Sequence, residues 1–220
     1  MGPSRNSVMP ERGLGTRQRV LKRSSDLVGA SIGLLVTWPV IVIAAIAARI
    51  DTGESGIFTQ ERVGRGGKKF RVMKVRTMRS SSSEPSTVTT TDDTRVTRLG
   101  RLLRDLKVDE LPQLLNVVRG DMSLVGPRPD VPGFADVLDG TDRLILTVRP
   151  GITGPAALAY RHEEQILASV DDPEWYNREI IWPDKVQISL EYVSGYTLMS
   201  DVRCLRDTIR VLFRREGRQY

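Results

Sequence analysis

One cysteine and one histidine in 220 residues remove several kinds of chemistry at the outset. Cys204 has no partner for an internal disulfide and cannot build a Cys-based zinc site. His162 alone cannot form a His-cluster metal centre, and a Ser-His-Asp hydrolase would depend on that one residue. A metal here must be held mainly by oxygen, which favours magnesium or calcium over zinc. The chain carries no internal repeat, no P-loop and no complete dinucleotide-binding fingerprint. With 40% hydrophobic and 27% charged residues, it reads neither as a disordered chain nor as a multi-span membrane protein. Its length is enough to bury one real core.

The net charge of +6 is unevenly spread. Residues 1–129 hold 22 Lys and Arg against 12 Asp and Glu, whereas residues 130–200 hold 5 against 12. A basic block of this kind suits phosphate, whether on nucleic acid, anionic lipid or a phosphorylated substrate.

Leu27 to Ala48 is a run of 22 residues without a charge. At ~1.5 Å per residue it would reach about 33 Å, enough to cross a hydrocarbon core of ~30 Å. Trp38-Pro39 lies at its middle, where proline removes a backbone donor and kinks or breaks a helix. Lys22 and Arg23 precede the run, and Arg49 and the basic 62–79 stretch follow it. Positive flanks resist translocation at both ends, so the expectation is a re-entrant helix over 22–50, broken at Trp38-Pro39, rather than a spanning anchor. Ala45-Ile46-Ala47 resembles a signal cleavage site, but the apolar run is longer than a signal core. Residues 1–21 read as a basic flexible tail and 51–220 as a catalytic domain at the membrane interface.

Beyond a turn at Gly53–Gly56, Ile57–Gln60 can be a short strand. After a second turn at 64–67, Lys69 to Arg76 alternates basic and apolar residues at a strand period. The alternation slips at Val72-Met73, where a bulge would return Lys74 and Arg76 to the face of Lys69 and Arg71. Eight basic residues and no acid lie between Arg62 and Arg79, giving a hairpin with a cationic face. Residues 80–93 read as a mobile polar loop. Thr97 to Lys107 reads as an amphipathic helix, with Leu99, Leu102, Leu103 and Leu106 on one face and Arg98, Arg101 and Arg104 on another. It suits either a membrane interface or an ordinary core. The tail of the chain predicts helices over Glu174–Trp182, Asp184–Gly195 and Asp201–Leu212. The fold class is thus mainly α with a small β-hairpin.

Asp109-Glu110 closes the arginine-rich helix, and Arg128 is held between Pro127 and Pro129 in a stiff loop. Carboxylates, phosphate-sized cations and a bilayer segment together suit phosphoryl transfer at a membrane. A carboxylate can attack phosphorus, while Arg, Lys and Mg²⁺ stabilise the oxygens. A membrane-tethered nucleic-acid binder would leave the Asp-Glu pair and the Pro-Arg-Pro loop idle. A catalytically silent scaffold would not need the pair.

At these residues the sequence resembles the bacterial sugar transferases, the monotopic polyprenyl-phosphate phosphoglycosyl transferases. The resemblance runs from about Lys22 to Leu212 and is most specific over residues 92–129, DDTRVTRLGRLLRDLKVDELPQLLNVVRGDMSLVGPRP. FTQERVGRGGKKFRVMKVRTM (58–78) and RPGITG (149–154) add to it. It implies transfer of a sugar-1-phosphate from a UDP-sugar to undecaprenyl phosphate with release of UMP. Asp109 matches the family's nucleophile and Glu110 completes the dyad, where Mg²⁺ is expected on Asp109. Arg104 and Arg128 match phosphate-site arginines. Lys74 and Arg76 fall in the Lys-x-Arg-Thr-Met hairpin, and Arg62 is grouped with them. The implied setting is the cytoplasmic face of a bacterial inner membrane, with membrane lipid as a contact and no nucleic acid. A homo-oligomer and downstream glycosyltransferases are further implied partners. With 26 residues before Leu27, the family's minimal form is expected. Glu54-Ser55 and Pro155-Ala156-Ala157 depart from the family's usual pattern, which bears on sugar and lipid preference.

Overall fold

A computed structural model describes residues 13–80 and 93–213. Residues 1–12 of the expected tail and nearly all of the expected 80–93 loop lie outside the described residues. The first element is helix α1, Thr16–Thr52. It opens where the Gly15 N–H donates to Gln18 Oε1 at 2.9 Å and closes at Gly53, whose φ of 76° lets its N–H cap the Arg49 carbonyl. The helix therefore begins before residue 22, within the expected tail.

The expected break at Trp38-Pro39 is not an interruption, because the helix continues through Pro39. Two residues earlier Thr37 Oγ1 donates back to the Gly33 carbonyl at 2.7 Å. A proline costs the helix one backbone bond, and a long apolar helix keeps enough others to carry on. Ala45-Ile46-Ala47 lies within the continuous helix, between the buried Ala44 and Ala48.

Lys22, Asp26, Ala30, Ala44 and Ala48 form the helix's buried positions. They recur at helical spacing, so one narrow stripe faces the domain. Gly29 and Gly33 let Leu124 and Leu114 approach the helix closely; a Cβ on Gly29 would sit 2.7 Å from Leu124 Cδ1. The other faces stay open: Ile32, Leu35, Val36, Trp38, Ile43, Ile46 and Ile50 are each more than half exposed. Only 17% of the apolar stretch is buried, which is not how the core helix of a soluble protein behaves.

Strands β1 (Ile57–Val63) and β2 (Lys69–Val75) form an antiparallel hairpin. Its register runs unbroken from Ile57↔Val75 to Val63↔Lys69, so the expected bulge is absent. Lys74 and Arg76 consequently lie on the face opposite Lys69 and Arg71, and no single cationic face exists. The slip in the pattern has a different cause. Both faces of β2 carry a buried valine, Val72 against Ala30, Val117 and Met122, and Val75 against Ala44, Ala48 and Leu103.

Helix α2 (Arg98–Asp105) starts at Thr97, whose hydroxyl accepts the Gly100 N–H at 2.8 Å. Its leucines divide: Leu103 is buried and Leu99 packs beside it, while Leu102 and Leu106 are 54% and 60% exposed. Helix α3 (Gln113–Arg119) follows, then strand β3 (Ser123–Val125), which pairs in parallel with β4 (Gly151–Thr153). RPGITG is therefore strand as well as turn. The glycines of the two motifs meet: a Cβ on Gly151 would lie 2.2 Å from the Gly126 nitrogen, and one on Gly154 2.1 Å from the Gly126 oxygen. Only glycine permits that approach.

Short helices α4 (Pro155–Ala159), α5 (Glu163–Ala168) and α6 (Pro173–Tyr176) lead to α7 (Trp182–Ser194) and α8 (Leu198–Phe213). The expected division at Pro183 does not occur. A π-helical turn, Asn177–Ile181, joins α6 to α7, and Pro183 falls in the first turn of α7, where its missing N–H is tolerated. The fold class is mainly α with a small antiparallel hairpin, as expected.

Candidate active site

Asp109 and Glu110 sit on a single 3₁₀ turn, Val108–Glu110, between α2 and α3. The chain enters it through Lys107, whose φ of 55° is the only positive value at a non-glycine residue among those described. This left-handed step costs of the order of 1 kcal/mol. It ends α2 and opens the turn in which Asp109, two residues on, faces inward at 6% exposure.

Asp109 Oδ1 is buried without a hydrogen-bond partner, one of two such side-chain atoms among the described residues. Leaving a buried acceptor unmade costs roughly 1–3 kcal/mol, so nothing about stability recommends it. Burial, and then the neighbouring charge of Glu110, push the Asp109 carboxyl above the usual carboxylate range.

Glu110 behaves in the opposite way. Its Oε1 accepts from Lys74 Nζ at 3.0 Å and from Arg128 Nη2 at 3.2 Å. Burial opposes its ionisation, but Lys74, Arg128 and Lys107 overcome that and hold the carboxyl well below its ordinary range. Glu110 is thus a permanent anion that brings two cations together. Burial draws Lys74 below its usual value against the pull of Glu110, whereas Glu110 raises Arg128.

Arg62 joins this group from β1. Its Nη1 donates to the Pro129 carbonyl at 3.3 Å and its Nη2 to Gln60 Oε1 at 2.6 Å. Burial, then the Arg128 charge, lower its pKa. Arg62, Lys74 and Arg128 line one cleft, together with Val72, Gln113, Pro129, Gly151 and Ile152. Its volume of about 20 Å³ is room for one water-sized group. The close contact of the two glycine motifs beneath it holds the Pro-Arg-Pro loop in place.

The other expected site residues do not line the cleft. Arg104 donates through Nε to Thr77 Oγ1 at 3.0 Å and pairs with Glu164 at 3.3 Å, and its charge still reaches Asp109, whose pKa it draws down. Arg76 is tied to the turn after α1, donating to the Ser55 carbonyl at 2.7 Å and pairing with Glu54 at 3.0 Å. Trp38 and Pro39 are exposed at the middle of α1.

Three residues were not singled out from the sequence. Asn116 donates to the Arg71 carbonyl and accepts the Met73 N–H, which fixes β2 against α3. Asp130, next after the Pro-Arg-Pro loop, is pushed up to about 6 by burial despite Lys185, Arg62 and Arg128 nearby. Lys185 pairs with Glu163 at 2.6 Å. Proximity of Asp130 to Arg128 in the chain was the one signal available.

Two carboxylates cannot by themselves cage a metal, and among the described residues no group of three or more His, Cys, Asp or Glu side chains is arranged to hold one. Magnesium commonly uses one or two carboxylates and takes its remaining ligands from substrate phosphates and water. The unpartnered Asp109 oxygen fits that arrangement; Glu110, already engaged by two cations, fits it less well.

A buried carboxylate with one unpartnered oxygen thus lies beside a fixed anion and a group of cations, in a chain that also carries a long apolar helix. Residues 17–215 match the model of the family described as bacterial sugar transferase, and the chain belongs to that family. It is 33% identical over 196 residues to the UDP-N-acetylgalactosamine-undecaprenyl-phosphate N-acetylgalactosaminephosphotransferase of Aeromonas hydrophila, covering 87% of this chain and 43% of that protein. It is 34% identical to the undecaprenyl-phosphate glucose phosphotransferase of Komagataeibacter xylinus, covering 95% of this chain and 39% of that one. The exopolysaccharide production protein ExoY of Rhizobium meliloti is 30% identical, with 86% and 83% covered. The chain thus spans less than half of the first two relatives and most of the third.

Proposed function

We propose that this chain transfers a sugar-1-phosphate from a UDP-sugar to undecaprenyl phosphate, in an early membrane step of polysaccharide assembly. The observation that carries the reading is the unpartnered, buried Asp109 carboxylate beside the Glu110–Lys74–Arg128 cluster. The family and the names of its relatives agree with it.

In the first step an Asp109 oxygen forms a bond to the sugar-bearing phosphorus of the donor. The bond from that phosphorus to the bridging oxygen breaks, and UMP leaves with the electron pair. In the second step a phosphate oxygen of the lipid attacks the same phosphorus. The Asp109–phosphorus bond breaks, the carboxylate is regenerated, and the diphosphate-linked lipid sugar is released. Arg128 and Lys74 stabilise charge on the non-bridging oxygens, and Glu110 keeps both cations aimed at one place. Bound Mg²⁺, held by Asp109 and substrate phosphate, would supply further neutralisation of that charge.

The contacts of α1 support the membrane side of this reading. At its start Lys22 pairs with Asp201 at 2.7 Å, Asp26 accepts from Ser123 and Leu124, and Arg23 donates to Val117. Near its end Ala44 and Ala48 pack on Val75 and Leu103. Both ends of the apolar run rest on one body, which supports a protein entering a single leaflet from the cytoplasmic side rather than crossing.

The test is mass spectrometry of the protein after incubation with UDP-sugars alone. A phosphosugar adduct on Asp109, absent from Asp109→Asn, is expected. An adduct on another residue, or its persistence in Asp109→Asn, would end the proposal.

A further inference from the structure

Two charged side chains near the cleft have no part in the proposed reaction, Asp130 after the Pro-Arg-Pro loop and Lys185 on α7. Lys185 lies among the buried positions of α7, with Val186, Ser189 and Leu190, and is 9% exposed. Its Nζ donates to Glu163 Oε1 at 2.6 Å and sits 5.5 Å from the centre of the Tyr160 ring. The Tyr160 hydroxyl donates in turn to Asp184 Oδ2 at 2.6 Å, so the chain between α4 and α5 is tied to α7. Stability alone does not call for this arrangement, because a buried ion pair is often replaceable by apolar residues of similar size. Lys185 does not line the cleft, so any part it plays in the reaction runs through a neighbour.

Arg128 is the neighbour in need of support. The backbone of its loop is pinned: Gly151 N–H donates to the Pro127 carbonyl at 2.8 Å and Val63 N–H to the Asp130 carbonyl at 2.9 Å. The guanidinium itself is 40% exposed and meets Glu110 through Nη2 at 3.2 Å. Arg62, a like charge, stands close enough for Arg128 to depress its pKa. A side chain so placed keeps much of its rotamer freedom and is pushed towards solvent. After Glu110, the carboxylates whose charges favour the Arg128 cation are Glu163 and Asp130. Lys185 serves both: it bonds Glu163, and it is the foremost charge opposing the effect of burial on the Asp130 carboxyl. We infer that Lys185 is a positioning residue, holding Glu163 and Asp130 where, together with Glu110, they aim the Arg128 guanidinium at the cleft. One ammonium on α7 thus supports a phosphate-binding group carried on a separate loop. The inference rests on the proposed reading of Arg128 as such a group.

The experiment is a double-mutant cycle on the affinity for UDP, titrated against the full chain in detergent micelles. Lys185→Met removes the charge at similar size and should weaken UDP about fivefold in the otherwise native chain. In an Arg128→Ala background the same change should alter affinity by less than about twofold, because the group it positions is gone. A lysine acting only through its own field would weaken UDP equally in both backgrounds, and that result would overturn the inference. So would UDP affinity within about twofold of the native chain in a folded Lys185→Met variant. Lys185→Gln, which still donates to Glu163 but carries no charge, runs the same cycle under the same limits if the methionine variant does not fold. Unchanged UDP affinity in Arg128→Ala would remove the phosphate site and this inference together. The titration involves no turnover. A missing Asp109 adduct would therefore end the proposed reaction while the coupling stood, whereas equal losses in the cycle would end the positioning role alone.

Discussion

Replacing Glu110 by glutamine keeps the shape of the side chain and removes its charge. Lys74 and Arg128 share one oxygen of Glu110, whose side chain is 12% exposed. Removing one partner of a fully buried pair costs about 3–5 kcal/mol. Here Lys74 is 25% and Arg128 40% exposed, so water screens part of the loss. A loss of about 2 kcal/mol in folding stability remains, and with the two cations no longer aimed at one place kcat/KM should fall by at least about tenfold, roughly 1.4 kcal/mol of transition-state stabilisation. The same change has a second, opposite consequence. Glu110's charge is one cause of the raised Asp109 pKa, after burial. A nucleophilic carboxylate must be ionised, so activity is lost as pH falls through its folded value. Without Glu110 that value drops, and the acid limb of the pH–rate profile should move to lower pH while the plateau falls. Steady-state UMP release across pH 4–8 measures both. A plateau within threefold of wild type, or an acid limb that stays put or moves upward, refutes the clamp assigned to Glu110.

Lys22→Met should destabilise by about 3 kcal/mol, because Asp201 at 8% side-chain exposure would keep two tyrosine donors but lose its cation; thermal unfolding in micelles reads this, and a shift under 1 °C refutes it. Arg128→Ala should cost at least about tenfold in kcat/KM, roughly 1.4 kcal/mol, and Arg104→Ala clearly less, since Arg104 is held by Thr77 and Glu164 away from the cleft. Equal losses would put Arg104 back in the phosphate site. Chelation should stop transfer and Mg²⁺ or Mn²⁺ restore it; full activity in excess chelator rules out the metal. In a Cys204→Ser background, cysteines at Val20 and Thr52 should both be hidden from an impermeant reagent in intact cells, and labelling of position 20 from outside would establish a spanning helix.

The dyad, Lys74 and Arg128 were legible because they lie in short, dense motifs whose residues also meet in space. Arg104 and Arg76 were not, because a basic stripe does not reveal its partner. Arg104 finds Glu164 60 residues later, and Arg76 turns to Glu54. The hairpin was visible in its alternation, yet the slip at Val72-Met73 reads in sequence as a bulge, whereas the fold buries a valine on each face, Val72 on one and Val75 on the other. That tertiary cover is supplied only by the fold. The parallel pair β3–β4 was hidden because its strands have three residues each and are joined by a long excursion. At Pro183 the local rule predicted an end, and a π turn just before it absorbed the proline.

The attachment of α1 at both ends bears on how the protein meets bilayers of different thickness. A free transmembrane helix relieves hydrophobic mismatch by tilting alone, at a fraction of a kcal/mol per Å. Here the Lys22–Asp201 pair at one end and the Ala44 and Ala48 contacts at the other make the helix and the catalytic body one lever. Any tilt of the helix is a tilt of Asp109, and the height of the dyad above the head groups becomes a function of acyl-chain length. On the reaction proposed above, the lipid composition around the protein would then act as a setting on the rate, which should change with chain length while the affinity for soluble nucleotide stays constant.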